Sequence, residues 1–342
     1  MLSKSAALAV ASAIALAACG GGPQPAASPG DPAGPLTVYS GRSEALVAPV
    51  IEQFEGATGI DVAVRYADSG QLAAQIVEEG ERSPADVFVA QDAGALGAVS
   101  SAGLAAELPA DLLGRVPQAY RAEDGTWVGV SGRARVVVYD PRQVGENEVP
   151  ASVLDLTDPR WAGEVGIAPA NASFQSFVTA MRVLEGTEVT REWLEGLVTD
   201  GVEIFEGNTP ILDGVDNGVV QAGLINHYYW YRKVAEAGLD AVPSRLAFLP
   251  GGDPGSLVNV AGAQVLAGAD RPEEAEALLA FLLSEDAQRY FAEETFEYPL
   301  VAGVEPAADL PPLSSLEPPD IDLSDLESLD ETVALLEEVG LL

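Results

Sequence analysis

Cysteine and histidine are almost missing from this chain: Cys19 and His227 are the only ones. One of each excludes an internal disulfide, a zinc site built from Cys and His, and any mechanism that needs two histidines. Metal chemistry in such a chain must use oxygen ligands. Lysine is nearly as scarce, with only Lys4 and Lys233, and the 17 basic residues face 53 acidic ones for a net charge of −36. A surface this acidic repels a phosphate backbone, so no nucleic acid is expected as a partner, and the acids read as solvation rather than as a site. A membrane-spanning run is absent too, because the apolar stretch Ala6 to Ala18 is only about thirteen residues long.

What is present is an ordinary globular composition. At 342 residues, 48% hydrophobic and 20% charged, the chain is too long for one small core and divides best into two domains or lobes. Residues 1–19 carry one base, Lys4, ahead of the apolar stretch, which is the layout of a secretory signal. The stretch ends in Leu16-Ala17-Ala18-Cys19-Gly20, which resembles the bacterial lipobox, so Cys19 is the expected lipidation site; the alternative is a plain signal with a chance cysteine. From Gly20 to Pro35 ten of sixteen residues are Gly or Pro, a flexible tether of at most ~50 Å. The expected location is therefore extracytoplasmic, in the periplasm or at the cell surface, with a lipid anchor to the membrane.

Beyond the tether the pattern alternates. Leu36 to Ser40 reads as a strand, Glu44 to Phe54 as a helix stopped by Gly56 and Gly59, Ile60 to Tyr66 as a strand, Gln71 to Glu79 as an amphipathic helix and Asp86 to Ala90 as a buried strand. That βαβαβ order predicts a mostly parallel sheet. It recurs after Val136 to Tyr139, with strands at Val165 to Ala168 and Gln221 to Ile225 around helices at Phe174 to Leu184 and Arg191 to Leu197. Val258 to Leu266 is a further strand, Pro272 to Leu283 a helix with Pro in its first turn, and Glu331 to Val339 a closing helix after a Pro-, Ser- and acid-rich tail expected to lie across the surface. Two α/β lobes place a ligand at the carboxyl ends of their strands, in the cleft between them.

The densest motif is Asn226-His227-Tyr228-Tyr229-Trp230-Tyr231-Arg232. It reads either as an aromatic core patch at a strand end or as a site. Adjacent side chains diverge by ~100° in a helix and ~180° in a strand, so two neighbouring phenols converge only at a junction, here between an apolar strand and a polar amphipathic segment. At a helix N-terminus the dipole favours anionic oxygen. Phenolate is a hard ligand from which a trivalent cation such as Fe³⁺ can displace the proton.

With these residues in view, the chain resembles a known family over nearly its whole length: the periplasmic ferric-ion-binding proteins of ABC transporters. The resemblance is carried by Val38-Tyr39-Ser40-Gly41, Thr58-Gly59-Ile60, Pro84-Ala85-Asp86-Val87-Phe88, Ser131-Gly132-Arg133, Val138-Tyr139-Asp140, Leu224-Ile225-Asn226 with the tyrosine pair, and Leu336-Glu337-Glu338-Val339-Gly340. It implies an α/β two-lobed periplasmic-binding-protein fold (type II), with one lobe from 36–132 and 259–308, the other from 133–258 and 309–342, and a hinge where the strands near Arg133 and Val258 cross. It also implies a monomer that hands ferric iron to an ABC permease without catalysis.

In that family two consecutive tyrosines bind the iron, which falls on Tyr228 and Tyr229. An external anion, phosphate or carbonate, completes the sphere and maps onto Arg133, Asn171, Ala172, Ser173, Asn208 and Asn226. A helix start at Asn171 to Ser173 suits an oxyanion in its own right, or serves as a simple cap. Where members have a ligating His and Glu this chain has Ser43 and Gln91, followed by Asp92, and a third tyrosine of some members is Phe174 here. Either the anion, water and Asp92 or Tyr66 fill the gaps, or the ligand is not free Fe³⁺. His227, Trp230 and Tyr231 read as neighbours that do not ligate. The same fold carrying an organic or phosphorylated anion is the nearest alternative; a secreted hydrolase working with acids and a tyrosine is the more distant one.

Overall fold

The computed structural model describes residues 34–342 except Ala308, so residues 1–33, with the expected signal, most of the tether and Cys19, lie outside the described residues. Among the described residues no helix is long and apolar enough to cross a membrane.

The first lobe opens as expected from its period. Strand β1 (Leu36–Ser40) leads to α1 (Glu44–Thr58), β2 (Val62–Tyr66), α2 (Ser69–Glu79), β3 (Val87–Ala90), α3 (Ala93–Ser101) and the single turn α4 (Ala110–Leu113). Helix α1 runs through Gly56 and stops only at Gly59, whose left-handed φ of 73° caps it by returning its N–H to the Glu55 carbonyl. Gly56 keeps ordinary helical angles, so its missing side chain is a small propensity cost that the packed face, with Val47, Val50, Ile51 and Phe54 buried, outweighs. β1 pairs in parallel with both β2 and β3.

Strand β4 (Val128–Tyr139) is far longer than the four residues its apolar run suggested. Gly129, Gly132, Arg133 and Arg135 interrupt the apolar pattern, yet every position from Val128 to Val138 is buried, because this strand passes from one lobe to the other and is covered on both faces. It is followed by β5 (Val165–Ile167), α5 (Ala172–Glu185), α6 (Thr187–Thr199), β6 (Glu203–Ile204), α7 (Asn208–Asp216), β7 (Ala222–Asn226), α8 (His227–Ala237), β8 (Arg245–Ala247), β9 (Val258–Val265), α9 (Pro272–Leu282), α10 (Glu285–Glu293) and α11 (Leu329–Glu338). One sheet order runs β2-β1-β3-β9-β4-β7-β5-β6, with β8 on β4. The first part of β4, to Ala134, pairs antiparallel with β9, and from Arg135 onward it pairs with β7 and β8. Arg133 lies opposite Asn259 in that crossing.

The cores are separate. One apolar cluster holds Val38, Phe54, Phe88, Leu96, Trp127, Val260 and Leu279; the second-lobe strands and helices pack on others built around Phe177, Trp193, Leu224 and, on the opposite face, Ile211 and Val215. The tail does more than cross a surface. Leu310, Leu316, Leu323 and Leu326 are buried in the first cluster while Leu335, Leu336 and Leu341 join a second-lobe cluster, at about 1.5 to 3 kcal/mol for each side chain fully buried. Gly94 makes room for it: a Cβ there would stand 2.6 Å from the Leu326 carbonyl oxygen.

Candidate metal centre

The tyrosine pair sits at the junction of β7 and α8. Asn226 ends the strand in an extended conformation and His227 starts the helix, so Tyr228 and Tyr229 fall in the first turn. Although ~100° apart around the axis, their side chains converge: the rings stack at 4.3 Å with a 27° tilt. Tyr228 is 1% exposed, and Tyr229 is half-buried. Burial, then the neighbouring Tyr228 phenol, pushes the Tyr229 phenol well above its ordinary range, and the positive charges of Arg42 and Arg133 pull the other way.

Those charges define the opposite wall. Arg133 is 1% exposed, its Nη2 donates to the Val260 carbonyl at 3.3 Å, and its Nε and Nη1 have no partner. Burial, then repulsion from Arg42, lowers its pKa. Arg135, two positions along β4, donates to Ser173 Oγ at 3.3 Å and to the Leu224 carbonyl at 3.1 Å, lies over the rings of Phe174 and Phe177, and keeps an unpartnered Nε. Burial pushes it down to about 9, so it is still protonated at neutral pH.

The remaining anion-site candidates are brought together at the starts of α5 and α7. Asn171 Oδ1 accepts from Ser173 N–H at 3.1 Å and from Ser173 Oγ at 2.6 Å, and Asn208 Nδ2 donates to the same oxygen at 3.2 Å. Asn208 Oδ1 in turn accepts from the Asn226 N–H at 3.0 Å. This network ties the two helix starts to the strand that precedes the tyrosines. Ala172 is the first residue of α5, where backbone N–H groups have no partner within the helix. The side chains of the Asn/Ser group are largely occupied with one another, whereas open donors remain on the two β4 guanidiniums.

The substituted ligand positions stand apart. Ser43 is exposed at the start of α1 and makes no capping bond; Gln91 is half-buried and its N–H donates to Ser69 Oγ at 2.9 Å. Asp92 is 2% exposed but engaged: its Oδ1 accepts the Ala95 N–H at 3.1 Å as the cap of α3, and it meets the Ser176 hydroxyl from the other lobe. Burial raises its pKa. Tyr66, at the end of β2, has Glu44 and Glu52 as charged neighbours and its pKa is raised, by burial first. Phe174 is fully buried in the second-lobe core against Phe177, 5.8 Å between ring centres. His227 has both ring nitrogens in use: Nδ1 accepts from Ala134 N–H at 3.1 Å, which leaves the proton on Nε2, donated to the Phe296 carbonyl at 2.8 Å. Trp230 donates to the Ser244 carbonyl and Tyr231 to that of Asp309, each at 3.0 Å.

Two residues escaped the sequence reading. Arg42, 4% exposed, follows β1 and forms a 2.7 Å ion pair with Glu297, itself fully buried. Burial opposes the Arg42 charge most strongly, but Glu297 together with the nearby Tyr228 and Tyr229 outweighs it and the pKa rises. Its place at the carboxyl end of a parallel strand was a usable signal. Glu297, 255 positions away along the chain, offered none. Among the described residues no group of three or more His, Cys, Asp or Glu side chains is placed to hold a metal ion.

Two α/β lobes joined by long crossing strands, with buried phenols from one lobe facing buried guanidiniums, make a two-lobed solute receptor of the periplasmic-binding type. The chain belongs to the bacterial extracellular solute-binding proteins, whose family model matches residues 82–322. It is 38% identical over 311 residues to the major ferric iron-binding protein of Neisseria meningitidis serogroup B, covering 90% of this chain and 93% of that one. Iron-bound HitA from Pseudomonas aeruginosa superimposes with a TM-score of 0.84 at 38% identity, over 89% of this chain and 99% of that one. A Trichodesmium protein solved with iron and citrate ligands superimposes with a TM-score of 0.79 at 28% identity, over 90% and 100%.

Proposed function

We propose that this protein captures ferric iron in the cleft between its lobes, with Tyr228 and Tyr229 as phenolate ligands, and delivers it to an ABC permease. The observation that carries the reading is the stacked pair at the start of α8, facing guanidiniums buried on β4. Burial makes the Tyr229 phenol a poor acid, and a trivalent cation that binds a phenol oxygen displaces its proton to solvent; iron uptake at neutral pH liberates protons and acid releases iron. An anion, phosphate or carbonate, fills part of the remaining sphere and rests on Arg133 and the Asn171, Ala172, Ser173, Asn208 and Asn226 group. Relatives that bind iron support this reading. The role is binding rather than catalysis, and Cys19 is the anchor that keeps the receptor near its permease.

The test is colour. Ferric phenolate absorbs visible light, so protein loaded with a ferric salt should turn coloured, and a colourless protein that holds no iron would refute the assignment. The open guanidiniums favour one second reading, the same cleft holding an organic or phosphorylated anion without metal. Retention of such an anion by iron-free protein, with no iron uptake, would establish it.

A further inference from the structure

We propose that His227 is a positioning residue for the tyrosine pair, and that through it the first-lobe tripeptide Phe296-Glu297-Tyr298 sets where the phenols stand relative to the buried guanidiniums. This rests on the ferric reading above and concerns how that same site is built.

The three consecutive residues each hold a different part of the site. The Phe296 carbonyl accepts at 2.8 Å from Nε2 of His227, the residue that starts α8 and precedes Tyr228. The Glu297 carboxylate pairs with Arg42 at 2.7 Å and accepts from Thr295 Oγ1 at 3.0 Å. Tyr298 exchanges both backbone hydrogen bonds with Gly132, at 2.8 and 2.9 Å, on one side of Arg133 in β4. His227 closes the arrangement on the other side, where its Nδ1 accepts from Ala134 N–H at 3.1 Å. The phenols, Arg42 and Arg133 are thus tied to one short segment, although they come from three regions remote in sequence.

The segment is itself firmly held. Phe296 has a φ of 59°, a left-handed conformation that a bulky residue keeps only where its surroundings over-determine it. Here Glu297 N–H donates to the Phe291 carbonyl at 3.0 Å, and the fully buried Gln288 accepts from Leu300 N–H and donates to the Val130 carbonyl of β4, both at 2.7 Å. Rings complete the joint. His227 lies 4.8 Å from Tyr298, and Tyr231 stacks on Phe296 at 6.4 Å with a 17° tilt. His227 and Tyr231 share a helix face as an i, i+4 pair, and Tyr231 packs against the first-lobe cluster, while Tyr229 and Trp230 pack against a second-lobe cluster. The start of α8 is therefore fixed from both sides, which sets the phenols in place before a metal arrives. An apolar ring could fill the same space, but one backbone donor and one backbone acceptor demand a side chain that offers both functions, and neutral histidine does so on one rigid ring.

The experiment compares wild type with His227→Phe, His227→Gln and Phe296→Gly. Each is titrated with a ferric salt in bicarbonate buffer and followed by visible absorbance, with affinity measured by competition against a soluble chelator and urea unfolding of the iron-free proteins alongside. His227→Phe keeps a ring and loses both hydrogen bonds; Phe296→Gly suits the left-handed backbone but frees the turn and removes the ring beside Tyr231. Both should shift the ferric phenolate band and lower iron affinity roughly tenfold. His227→Gln, which again carries a donor and an acceptor, should restore the wild-type band and most of the affinity. Folded His227→Phe or Phe296→Gly protein with the wild-type band and affinity, whatever its urea midpoint, makes the contact merely structural and overturns the inference. So does a His227→Gln protein as impaired as His227→Phe, since ring packing would then carry the effect. If His227→Phe does not fold, Phe296→Gly decides. Wild-type protein that takes up no iron and stays colourless overturns the ferric reading instead.

Discussion

In the first lobe the cleft edge is made of strand ends that present charge: Arg42 after β1, Asp92 after β3, and Glu297 beyond α10. In the second, helix starts present neutral oxygen and nitrogen, Asn171 and Ser173 at α5, Asn208 at α7, Tyr228 and Tyr229 at α8, and β4 adds the charge of Arg135 beside Ser173. Parallel strands end in loops whose side chains can reach across, whereas helix N-termini offer a positive dipole to anionic oxygen. On the ferric reading proposed above, the phenols would be the metal donors and Arg42 with the β4 guanidiniums the counter-charge, so a ligand that needs both would be held only when the walls are together.

The division breaks most sharply at the donors. Tyr228→Phe or Tyr229→Phe should lose the visible band or shift it and weaken ferric binding roughly a hundredfold or more, a charged ligand's worth, while Tyr231→Phe, whose hydroxyl bonds the Asp309 carbonyl, should do neither. Iron titration followed by absorbance checks this, with far-UV circular dichroism to show that each variant is folded. On the crossing strand β4, Arg133→Ala should cost roughly tenfold and flatten the dependence of iron affinity on anion concentration; unchanged anion dependence would remove Arg133 from the anion site.

A smaller effect separates the hinge from the site. Burial lowers His227 from its ordinary 6.5 to about 4, so the unfolded chain takes up a proton in that window while the folded one resists. Its contribution, up to about 3 kcal/mol, is present above about pH 6.5 and lost as pH falls toward 4. Urea unfolding of iron-free protein across this range should show the loss, and His227→Gln should flatten it. Smallest of all, Ser43→Ala and Gln91→Ala should leave ferric affinity within about threefold, since neither side chain is bonded toward the pair. A large loss in either would mean that the lobe supplies a metal donor after all.

Local pattern made β1 to β3, β5, β7, β9, α1, α2, α5, α6, α9 and α11 legible through apolar runs and helical period, whereas α3, α7 and α10 went unread. The β7 and α8 junction was legible for the same reason, since an apolar strand gave way to a polar segment at Asn226. Strand β4 was read too short: burial on both faces, not an apolar sequence, holds Gly132, Arg133 and Arg135 in it. The tail was read as superficial because its buried leucines, 310, 316, 323 and 326, follow no regular period.

By itself the sequence determined two α/β lobes, a tyrosine pair at a helix start and a metal chemistry confined to oxygen, because composition and short-range periodicity are local quantities. The family resemblance, rather than local pattern, placed Arg133 and Asn171 among the candidates. Only the tertiary structure decided that Arg42 and Glu297 meet across most of the chain's length, that Asp92 is engaged as a cap, and that His227 has no nitrogen left for a metal. Each of those outcomes depends on which groups burial brings within hydrogen-bonding distance, and that is set by the packing of segments remote in sequence.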